Sequence, residues 1–470
     1  MENIRLQRLK YVLADFLTAN ISFLAFNYYR FFYFHIAPFN SFASFVSSGK
    51  MIIEQIIIPL TMLGIYWISG YYNHPYKKSR LQELTTTFVS ALFATFLIYL
   101  ALLTNDQSMI VSTNYMMLLT LLGLIFTPTY LSRLLITSHT IKAFKRRNWK
   151  QPAIIIGASK VGKATADNLS DPRLSIGYNV VGFVEIPGEN RAAELPAKLI
   201  SFDELPGIVR SMNVSQIFIS PETFNDRTVL SYLYRLFPLG TSIRIAPDTL
   251  DYVTSSIHLQ DIYAEPFVDL SGPRLGESSK NIKRLIDIFF SLTALIMLAI
   301  PAMVIAIMVK HSSPGPVFYR QRRIGYRQKP FNIIKFRTMY TDAESNGPQL
   351  TSDSDSRITP IGHILRKYRL DEVPQFINVL KGDMSIVGPR PEREFFIRQI
   401  VEKAPYYTLV HQVRPGITSW GMVKYGYASS VDQMVARTRY DLVYLANMSV
   451  SVDFKIMIYT IRTVLGGKGK

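Results

Sequence analysis

Two adjacent acidic residues, Asp371 and Glu372, lie in a segment that is rich in basic residues on both sides. The flanking basic residues are Arg366, Lys367, Arg369, Lys381, Arg390 and Arg393. Adjacent residues point in different directions on a helix and to opposite faces on a strand, so one carboxylate could attack a substrate while the other holds a cation. Most Asp-Glu pairs are solvated surface turns. The pair therefore indicates a site for a phosphorylated, metal-bound substrate only if other motifs support it.

The local sequence gives two indications of how this pair is held. Asp371 is predicted to be the N-cap of a helix, with Pro374 in the first turn, where a missing N–H costs little. The dipole of such a helix favours anions such as phosphate at its N-terminus. Against this placement, Pro374 disfavours helical geometry for Val373.

Composition indicates a membrane protein with two or three domains in 470 residues. The hydrophobic fraction is 48%, with 29 Phe and 27 Tyr. The formal net charge of +18 fits attraction to an anionic cytoplasmic membrane face better than nucleic-acid binding, because no nucleic-acid module is present. The absence of Cys excludes disulfides, thiolate metal sites and cysteine nucleophiles.

Residues 1–145 are predicted to form a four-span transmembrane anchor. Lys and Arg are concentrated before the first span, between the second and third spans and after the fourth, which predicts cytoplasmic ends. No cleavable signal peptide is expected. Apart from Asp15 and Glu54 near the span ends, no acidic and basic residues are expected to face each other inside the spans, so we interpret the unit as an anchor and not as a transport pathway. The predicted spans are Tyr11–Phe34, Met51–Gly70, Leu84–Leu103 and Tyr115–Ile136.

Residues 146–270 alternate strand and helix patterns, which predicts a doubly wound parallel sheet. The first turn, GASKVGKA, resembles two phosphate-binding motifs and satisfies neither. A P-loop requires Ser or Thr where Ala164 stands. A dinucleotide fingerprint requires Gly where Ser159 stands. We therefore interpret this domain as degenerate, with oligomerisation or ligand sensing as its role.

The apolar segment Leu285–Val309 is long enough to span a membrane, but basic residues flank it on both sides. A spanning helix would leave one basic cluster outside and would export everything that follows. Pro301 removes a helix hydrogen bond and kinks the helix. We therefore predict a re-entrant helix over residues 284–310 that bends at Pro301 and returns to the cytoplasmic face.

Residues 280–470 contain six short segments and, between the first two, the apolar segment with Pro301, and the order of these pieces resembles that of a known family. The matching segments are KRLIDI (Lys283–Ile288), PGPVFYRQRRIG (Pro314–Gly325), KFRTM (Lys335–Met339), LDEVPQ (Leu370–Gln375), NVLKGDMSIVGPRPE (Asn378–Glu392) and VRPGIT (Val413–Thr418). The chain thereby resembles the monotopic polyprenyl-phosphate phosphoglycosyl transferases of the bacterial sugar transferase type. The four spans and the middle domain resemble the large subclass, whose middle domain is Rossmann-like.

The resemblance implies a membrane α/β fold and a hexose-1-phosphate transferase of the inner membrane, with its α+β catalytic domain and both termini in the cytoplasm. It implies that Asp371 attacks a UDP-sugar, that UMP leaves and that undecaprenyl phosphate accepts the sugar phosphate. Glu372 is implied to bind Mg²⁺. The phosphate-binding residues implied by the family motifs are Arg366, Arg390, Lys335, Arg337 and Arg414. The family breaks its re-entrant helix at Ser-Pro, whereas Ile300 precedes Pro301 here.

Local patterns around these motifs predict further elements. FYRQRR and FNIIKFRTM are expected to pair as two strands joined by the turn GYRQKP. Pro360–Leu370 has the apolar spacing of an amphipathic helix at a membrane surface. Glucose, galactose and N-acetylated hexoses all remain open as the sugar, and a homodimer remains possible. The rival hypothesis is a non-catalytic membrane scaffold or regulator of polysaccharide assembly.

Overall fold

The structure is a computed structural model of the chain. It describes residues 4–34, 39–73, 75, 78, 80–103, 111–146, 151–170, 178–223, 231–233, 235–246, 268–269, 275–343, 347, 349 and 355–465. Lys77, between the second and third predicted spans, and Arg147 and Lys150, after the fourth, belong to the basic clusters described above and lie outside the described residues. The chain divides into two compact units, one of residues 1–149 with 276–282 and one of residues 150–275 with 283–470.

Four helices in the described part of the first unit are long and apolar enough to cross a membrane. They confirm the four predicted stretches, and the fourth helix continues ten residues beyond its predicted end at Ile136. Their bounds are α1, Ile4–Phe34; α3, Gly49–Ile68; α4, Arg80–Leu103; and α5, Val111–Arg146, with a short helix α2, Phe42–Val46, between the first two. Their buried core includes Phe23, Phe26, Met62 and Leu121.

A buried ion pair joins two of these helices. Arg133 of α5 donates from Nε and Nη2 to the two carboxylate oxygens of Asp15 in α1, at 2.8 Å and 2.7 Å. Both side chains are fully buried. Arg133 also donates to Thr87 of α4 at 2.9 Å. The sequence-based expectation that no charged pair faces another inside the spans was therefore wrong.

The turn after α3 packs back into the same unit and also contacts residues 276–282. The Tyr72 hydroxyl donates to Asp15 at 2.7 Å. Asn73 donates to Glu277 at 2.6 Å, and Asn281 donates to the carbonyl of Trp67 at 2.5 Å. Gly70 has a φ of 81°, and a Cβ there would lie 2.6 Å from that of Glu277, so only glycine fits this contact.

The second unit contains a six-stranded sheet with strand order β3-β2-β1-β4-β5-β6. All pairs are parallel except β5 with β6. This order is that of a doubly wound sheet and confirms the predicted parallel α/β domain. Its strands are β1, Gln151–Ile156; β2, Tyr178–Val184; β3, Lys198–Leu199; β4, Gln216–Ile219; β5, Ser242–Ile245; and β6, Val268–Asp269. Helices α6, Lys160–Ser170, and α7, Leu205–Ser211, follow β1 and β3.

The apolar segment near residue 300 forms two helices, α8, Glu277–Met297, and α9, Ala299–Ser312, that meet at a bend of 63°. The break is at Leu298, and Pro301 lies in the first turn of α9. The prediction that the bend is at Pro301 was three residues late. A residue at 301 with an N–H would donate to the carbonyl of Met297; proline cannot, and its ring crowds that carbonyl, so the helix breaks one turn earlier.

The KRLIDI motif fastens α8 to the rest of the second unit. Lys283 donates to the carbonyl of Val387 at 2.9 Å and to Asp453 at 2.6 Å. Arg284 donates to the carbonyls of Val379 and Leu380 at 2.7 Å and 2.9 Å. The two basic residues of this motif therefore hold α8 against the segments around residues 380, 387 and 453.

The remaining elements of this unit surround the acid pair. Strands β7 and β8 form the predicted antiparallel hairpin, and β9 pairs in parallel with β10. The elements are β7, Phe318–Ile324; β8, Pro330–Phe336; α10, Pro360–Lys367; α11, Gln375–Lys381; β9, Ser385–Val387; α12, Glu394–Lys403; β10, Gly416–Thr418; α13, Trp420–Lys424; α14, Val431–Ala446; and α15, Val450–Leu465. Val309 of α9 is buried in one cluster with Phe336, Leu365 and Val373, so the second arm of the bent helix packs beside the segment that carries the acids.

Candidate functional site

The acid pair lies in a single 3-10 turn, Leu370–Glu372, that begins at Arg369. Arg369 has a φ of 53°, a left-handed conformation that is uncommon for a residue other than glycine and that is found at functional sites. The following helix α11 has Pro374 as its N-cap. The prediction of Asp371 as a helix N-cap was therefore wrong: the tight turn that precedes α11 holds both carboxylates, and both are buried.

Three cationic side chains approach the carboxylate of Glu372. Lys335, on β8, donates to Oε1 at 2.8 Å. Arg390 Nη1 lies 3.6 Å from the same oxygen, and Arg369 Nη1 lies 3.7 Å from Oε2. Burial alone would raise the pKa of Glu372, but Lys335, Arg390 and Arg369 together lower it to about 2. Glu372 is therefore a permanent anion at any physiological pH.

The carboxylate of Asp371 is held less tightly. Lys335 Nζ lies 4.0 Å from Oδ2, beyond hydrogen-bond distance. Burial raises the pKa of Asp371 to about 6, and Glu372 adds to that rise, while Lys335, Arg366 and Arg390 oppose it. The side chain is therefore largely ionised at neutral pH. It is also the more basic carboxylate of the two, and Lys335 lies farther from it than from Glu372, at 4.0 Å against 2.8 Å.

Two further side chains fix the orientation of the arginines. Arg366, at the end of α10, donates from Nε to the hydroxyl of Thr338 at 2.9 Å. The ring of Tyr427 lies against two guanidinium groups, with its centroid 4.8 Å from Cζ of Arg369 and 5.2 Å from Cζ of Arg390. These are cation–π distances.

The site has a surplus of positive charge. Four cationic side chains act on the two carboxylates, which leaves two positive charges uncompensated. A diphosphate matches this surplus in sign and size, and guanidinium forks suit phosphate oxygens. The four cationic residues are Lys335, Arg366, Arg369 and Arg390.

Two of the predicted phosphate-binding residues, Arg337 and Arg414, donate to backbone carbonyls. Arg337 is buried and donates from Nη2 to the carbonyl of Ser313 at 2.6 Å and from Nη1 to that of Pro314. It thus caps the end of α9. Arg414 is exposed and donates to the carbonyl of Gly382 at 2.9 Å. Among the described residues, no ion pair joins either arginine to Asp371 or Glu372.

The donor set near the acids bears on the predicted magnesium site. Within the described ranges, no group of three or more His, Cys, Asp or Glu could hold a metal ion. Mg²⁺ is commonly held by one or two carboxylates together with substrate phosphates and water. Asp371 and Glu372 fit that pattern, because a diphosphate would supply the remaining oxygens. The residues therefore suit a magnesium ion that arrives with its substrate.

Comparison with known proteins assigns this unit to a family. Residues 278–467 match the family profile described as "Bacterial sugar transferase". The exopolysaccharide production protein PSS of Rhizobium leguminosarum bv. phaseoli is 40% identical over 197 residues, which is 40% of this chain and 98% of that protein. The chain belongs to the bacterial sugar transferase family.

Two further relatives of this bacterial sugar transferase match over part of their own length. A UDP-N-acetylgalactosamine-undecaprenyl-phosphate N-acetylgalactosaminephosphotransferase of Aeromonas hydrophila is 43% identical over 40% of this chain and 44% of its own. A UDP-glucose:undecaprenyl-phosphate glucose-1-phosphate transferase of Xanthomonas campestris pv. campestris is 34% identical over 62% of each chain. The match thus spans less than two thirds of either relative.

The structure of this bacterial sugar transferase also shows residues that sequence reasoning missed. Thr338 lies inside the KFRTM motif, and Arg369, named above only as a flanking basic residue, directly precedes LDEVPQ, so position in or beside a motif was the available signal. Tyr427 lies outside every motif, and only its position beside the arginines identifies it. Glu392 is buried between Arg437, at 2.6 Å, and Arg323, at 3.2 Å, and thereby anchors the loop that carries Arg390.

Proposed function

We propose that the chain transfers a hexose-1-phosphate from a UDP-sugar to undecaprenyl phosphate, the initiating step of exopolysaccharide, capsule or O-antigen synthesis. The observation that carries this proposal is the buried acid pair inside a surplus of positive charge. The activities for which the Aeromonas and Xanthomonas relatives are named support the same reaction class. Those two relatives use different sugars, so the sugar of this chain stays open.

In the first step, a carboxylate oxygen of Asp371 attacks the phosphorus that bears the sugar. An aspartyl–phosphate bond forms, the bond from that phosphorus to the bridging oxygen breaks, and UMP leaves with the bonding electrons. Arg366 and Arg390 hold the phosphate oxygens on which negative charge develops. A covalent intermediate of this kind divides one transfer between two anions into two easier displacements.

In the second step, an oxygen of undecaprenyl phosphate attacks the same phosphorus. The new diphosphate linkage forms, the aspartyl–phosphate bond breaks, and the carboxylate of Asp371 is restored. Glu372 stays ionised throughout, because its pKa is far below neutral. A magnesium ion held by Glu372 and the diphosphate would neutralise phosphate charge.

The bent helix offers a way to bring the lipid phosphate to this site. Its arms from Arg284 to Met297 and from Ala299 to Lys310 are roughly 21 Å and 18 Å long at 1.5 Å per residue. With equal tilts, the bend of 63° puts the apex roughly 10 Å below the helix ends, less than half of a hydrocarbon core about 30 Å thick. Met297 and Ile300 near the apex are 74% and 77% exposed, which suits a re-entrant helix in one leaflet of the inner membrane.

The middle domain is proposed to be Rossmann-like without nucleotide chemistry of its own. Gly157, with a φ of 120°, and Gly162 keep the close packing between β1 and α6 that the dinucleotide fold requires. Ser159 replaces the glycine that would let a pyrophosphate approach, and its side chain is fully buried. Oligomerisation, as a homodimer, or ligand sensing remains its proposed role.

The test of the proposed function is an assay of membranes that contain the protein, incubated with Mg²⁺, undecaprenyl phosphate and a panel of UDP-sugars. We expect UMP release with one or a few sugars, and a labelled sugar phosphate attached to the protein when the lipid acceptor is omitted. Asp371→Asn is expected to lose both signals. Asp342→Asn is the matched control, because Asp342 is exposed in a turn of the same unit.

A normal rate of product formation by Asp371→Asn would show that the nucleophile is wrong. Absence of UMP release from the wild type with every sugar would favour the non-catalytic scaffold instead.

Separately, titration of Mg²⁺ into the protein by calorimetry should show weak binding that strengthens when a UDP-sugar is present.

A further inference from the structure

We propose that Tyr427 is a positioning residue of the transferase, whose aromatic face holds Arg369 and Arg390 in place before the donor binds. The inference rests on the proposed function, because its consequence is read in the rate of donor turnover. It assigns a role to a residue outside every motif of the sequence.

The cationic side chains around Glu372 repel one another, and Tyr427 is placed to counteract this repulsion. Arg369, Arg390 and Lys335 all lie within 4 Å of the single carboxylate of Glu372. Together with Arg366, these cations outnumber the two carboxylates of Asp371 and Glu372 by two in a buried site. Without a further partner, the guanidinium groups would therefore move apart towards water. A site that must reassemble at each turnover loses the advantage of preorganised charge.

The geometry places Tyr427 where it opposes that movement. Its ring centroid is 4.8 Å from Cζ of Arg369 and 5.2 Å from Cζ of Arg390, so one ring serves both cations. The face of an aromatic ring carries the negative part of its quadrupole and attracts a cation within about 6 Å. The phenol is neutral at physiological pH, because burial raises its pKa.

A neutral ring has one advantage over a third carboxylate. A carboxylate at 427 would also hold the arginines, but it would cancel part of the positive surplus that attracts the diphosphate. An aromatic face holds the cations and leaves that surplus intact. Arg369 reinforces the arrangement through its left-handed backbone, and its Nε is buried with no hydrogen-bond partner among the described residues. The aromatic ring is thus a main contact for its guanidinium group.

The experiment replaces Tyr427 with phenylalanine and with a series of increasingly fluorinated phenylalanines. These side chains keep the shape of the ring while its face becomes less negative, so folding is not at issue. We expect Tyr427→Phe to keep kcat/KM for the UDP-sugar within about threefold of the wild type, and each added fluorine to lower it stepwise, to about tenfold or more for the fully fluorinated ring. A flat series would overturn the proposal.

A double-mutant cycle gives a second readout that a merely structural role would not produce. Tyr427→Met keeps volume without a ring face, and Arg369→Lys keeps charge without a planar stacking group. If the two side chains act together, their effects on kcat/KM are less than multiplicative when combined. Effects that multiply fully would contradict the proposed contact.

The controls separate this inference from the proposed function. Tyr326→Leu removes an exposed tyrosine from the β7–β8 turn and should leave kcat/KM unchanged. Wild-type turnover and its loss in Asp371→Asn establish the reaction. Once these two results are established, an unchanged kcat/KM across the fluorinated variants refutes only the role of Tyr427. An inactive wild type refutes the proposed function itself.

Discussion

Burial shifts the protonation of individual side chains in this unit, and neighbouring charges decide the direction. Asp371 and Glu372 are adjacent and equally buried, yet the pKa of the first is raised to about 6 and that of the second lowered to about 2. Lys335 lies 2.8 Å from Glu372 and 4.0 Å from Asp371, and Arg369 and Arg390 lie 3.7 Å and 3.6 Å from Glu372. This closer contact with cations fits the proposed roles, with Asp371 as the nucleophile and Glu372 as a fixed anion.

His411 shows the effect of burial without a countercharge, and it yields a testable pH dependence. Burial lowers its pKa to about 4, against about 6.5 in an unfolded chain. The unfolded state therefore binds more protons between these values, so the free energy of unfolding falls as pH decreases from about 6.5 to about 4. The upper limit of this loss is about 3 kcal/mol.

The prediction is checked by following the thermal unfolding midpoint against pH for the wild type and His411→Gln. The wild type should lose stability more steeply over this interval, and the variant should lack that part of the slope. Parallel curves would mean that His411 is already protonated or exposed in the folded protein. Other groups contribute equally to both proteins, so the difference isolates His411.

Also at the residue scale, the motifs show which arginines belong to the family pattern but do not show which group each arginine contacts. Arg337 and Arg390 both lie in quoted motifs, and the sequence assigns both to phosphate. In the structure one faces the carbonyls that end α9 and the other faces Glu372. An arginine finds its partner through contacts between residues that are distant in the chain. A local sequence pattern contains no information about those contacts.

At the scale of elements, the apolar and turn patterns predicted the four long helices of the first unit, the helical segment around residue 300, α10 and the β7–β8 hairpin, because those patterns are local. The bend between α8 and α9 was predicted in kind but misplaced by three residues. A proline acts on the carbonyl four residues before it, so its position in the sequence and the position of the break differ by about one turn.

Pro301→Ala tests this account of the bend. Alanine restores the N–H that can donate to Met297, so the two helices should straighten in part. Residues 285 and 310 would then be roughly 38 Å apart in a straight helix, against roughly 32 Å at the observed bend, at 1.5 Å per residue. The chain has no Cys, so spin labels on cysteines introduced at positions 285 and 310 give this distance directly.

The expected result is a longer and broader distance distribution in Pro301→Ala than in the labelled parent. Ile300→Ala in the same labelled background is the matched control, because it changes the neighbouring side chain without restoring a donor. An unchanged distance in Pro301→Ala would mean that packing of α9 against Phe336 and Leu365, and not the proline, sets the bend.

At the scale of the whole molecule, the four membrane helices were predictable from length, apolar content and charge asymmetry, but their rotation was not. Asp15 and Arg133 are 118 positions apart, and neither belongs to a motif. A hydropathy pattern gives the length of a helix in lipid and not which face meets its neighbours. The buried pair is therefore a feature that only the packed bundle reveals.

This pair makes a strong prediction for the stability of the membrane unit. Arg133→Leu leaves the carboxylate of Asp15 buried, with the Tyr72 hydroxyl as a remaining donor. Removal of one partner of a buried ion pair typically costs about 3–5 kcal/mol, because the remaining charge stays out of water. Adding Asp15→Asn to this variant removes the uncompensated charge, so the double variant should recover part of the lost stability.

Thermal unfolding of the detergent-solubilised protein measures this effect. Lys50→Met provides the comparison, since Lys50 is 57% exposed and lies 4.0 Å from Glu54 at the start of α3, where an ion pair contributes at most about 1 kcal/mol. The expected order of midpoints is wild type and Lys50→Met highest, the double variant next and Arg133→Leu lowest. If Arg133→Leu unfolds with the wild type, water must reach Asp15, and the helices around it are packed less tightly than the full burial of both side chains implies.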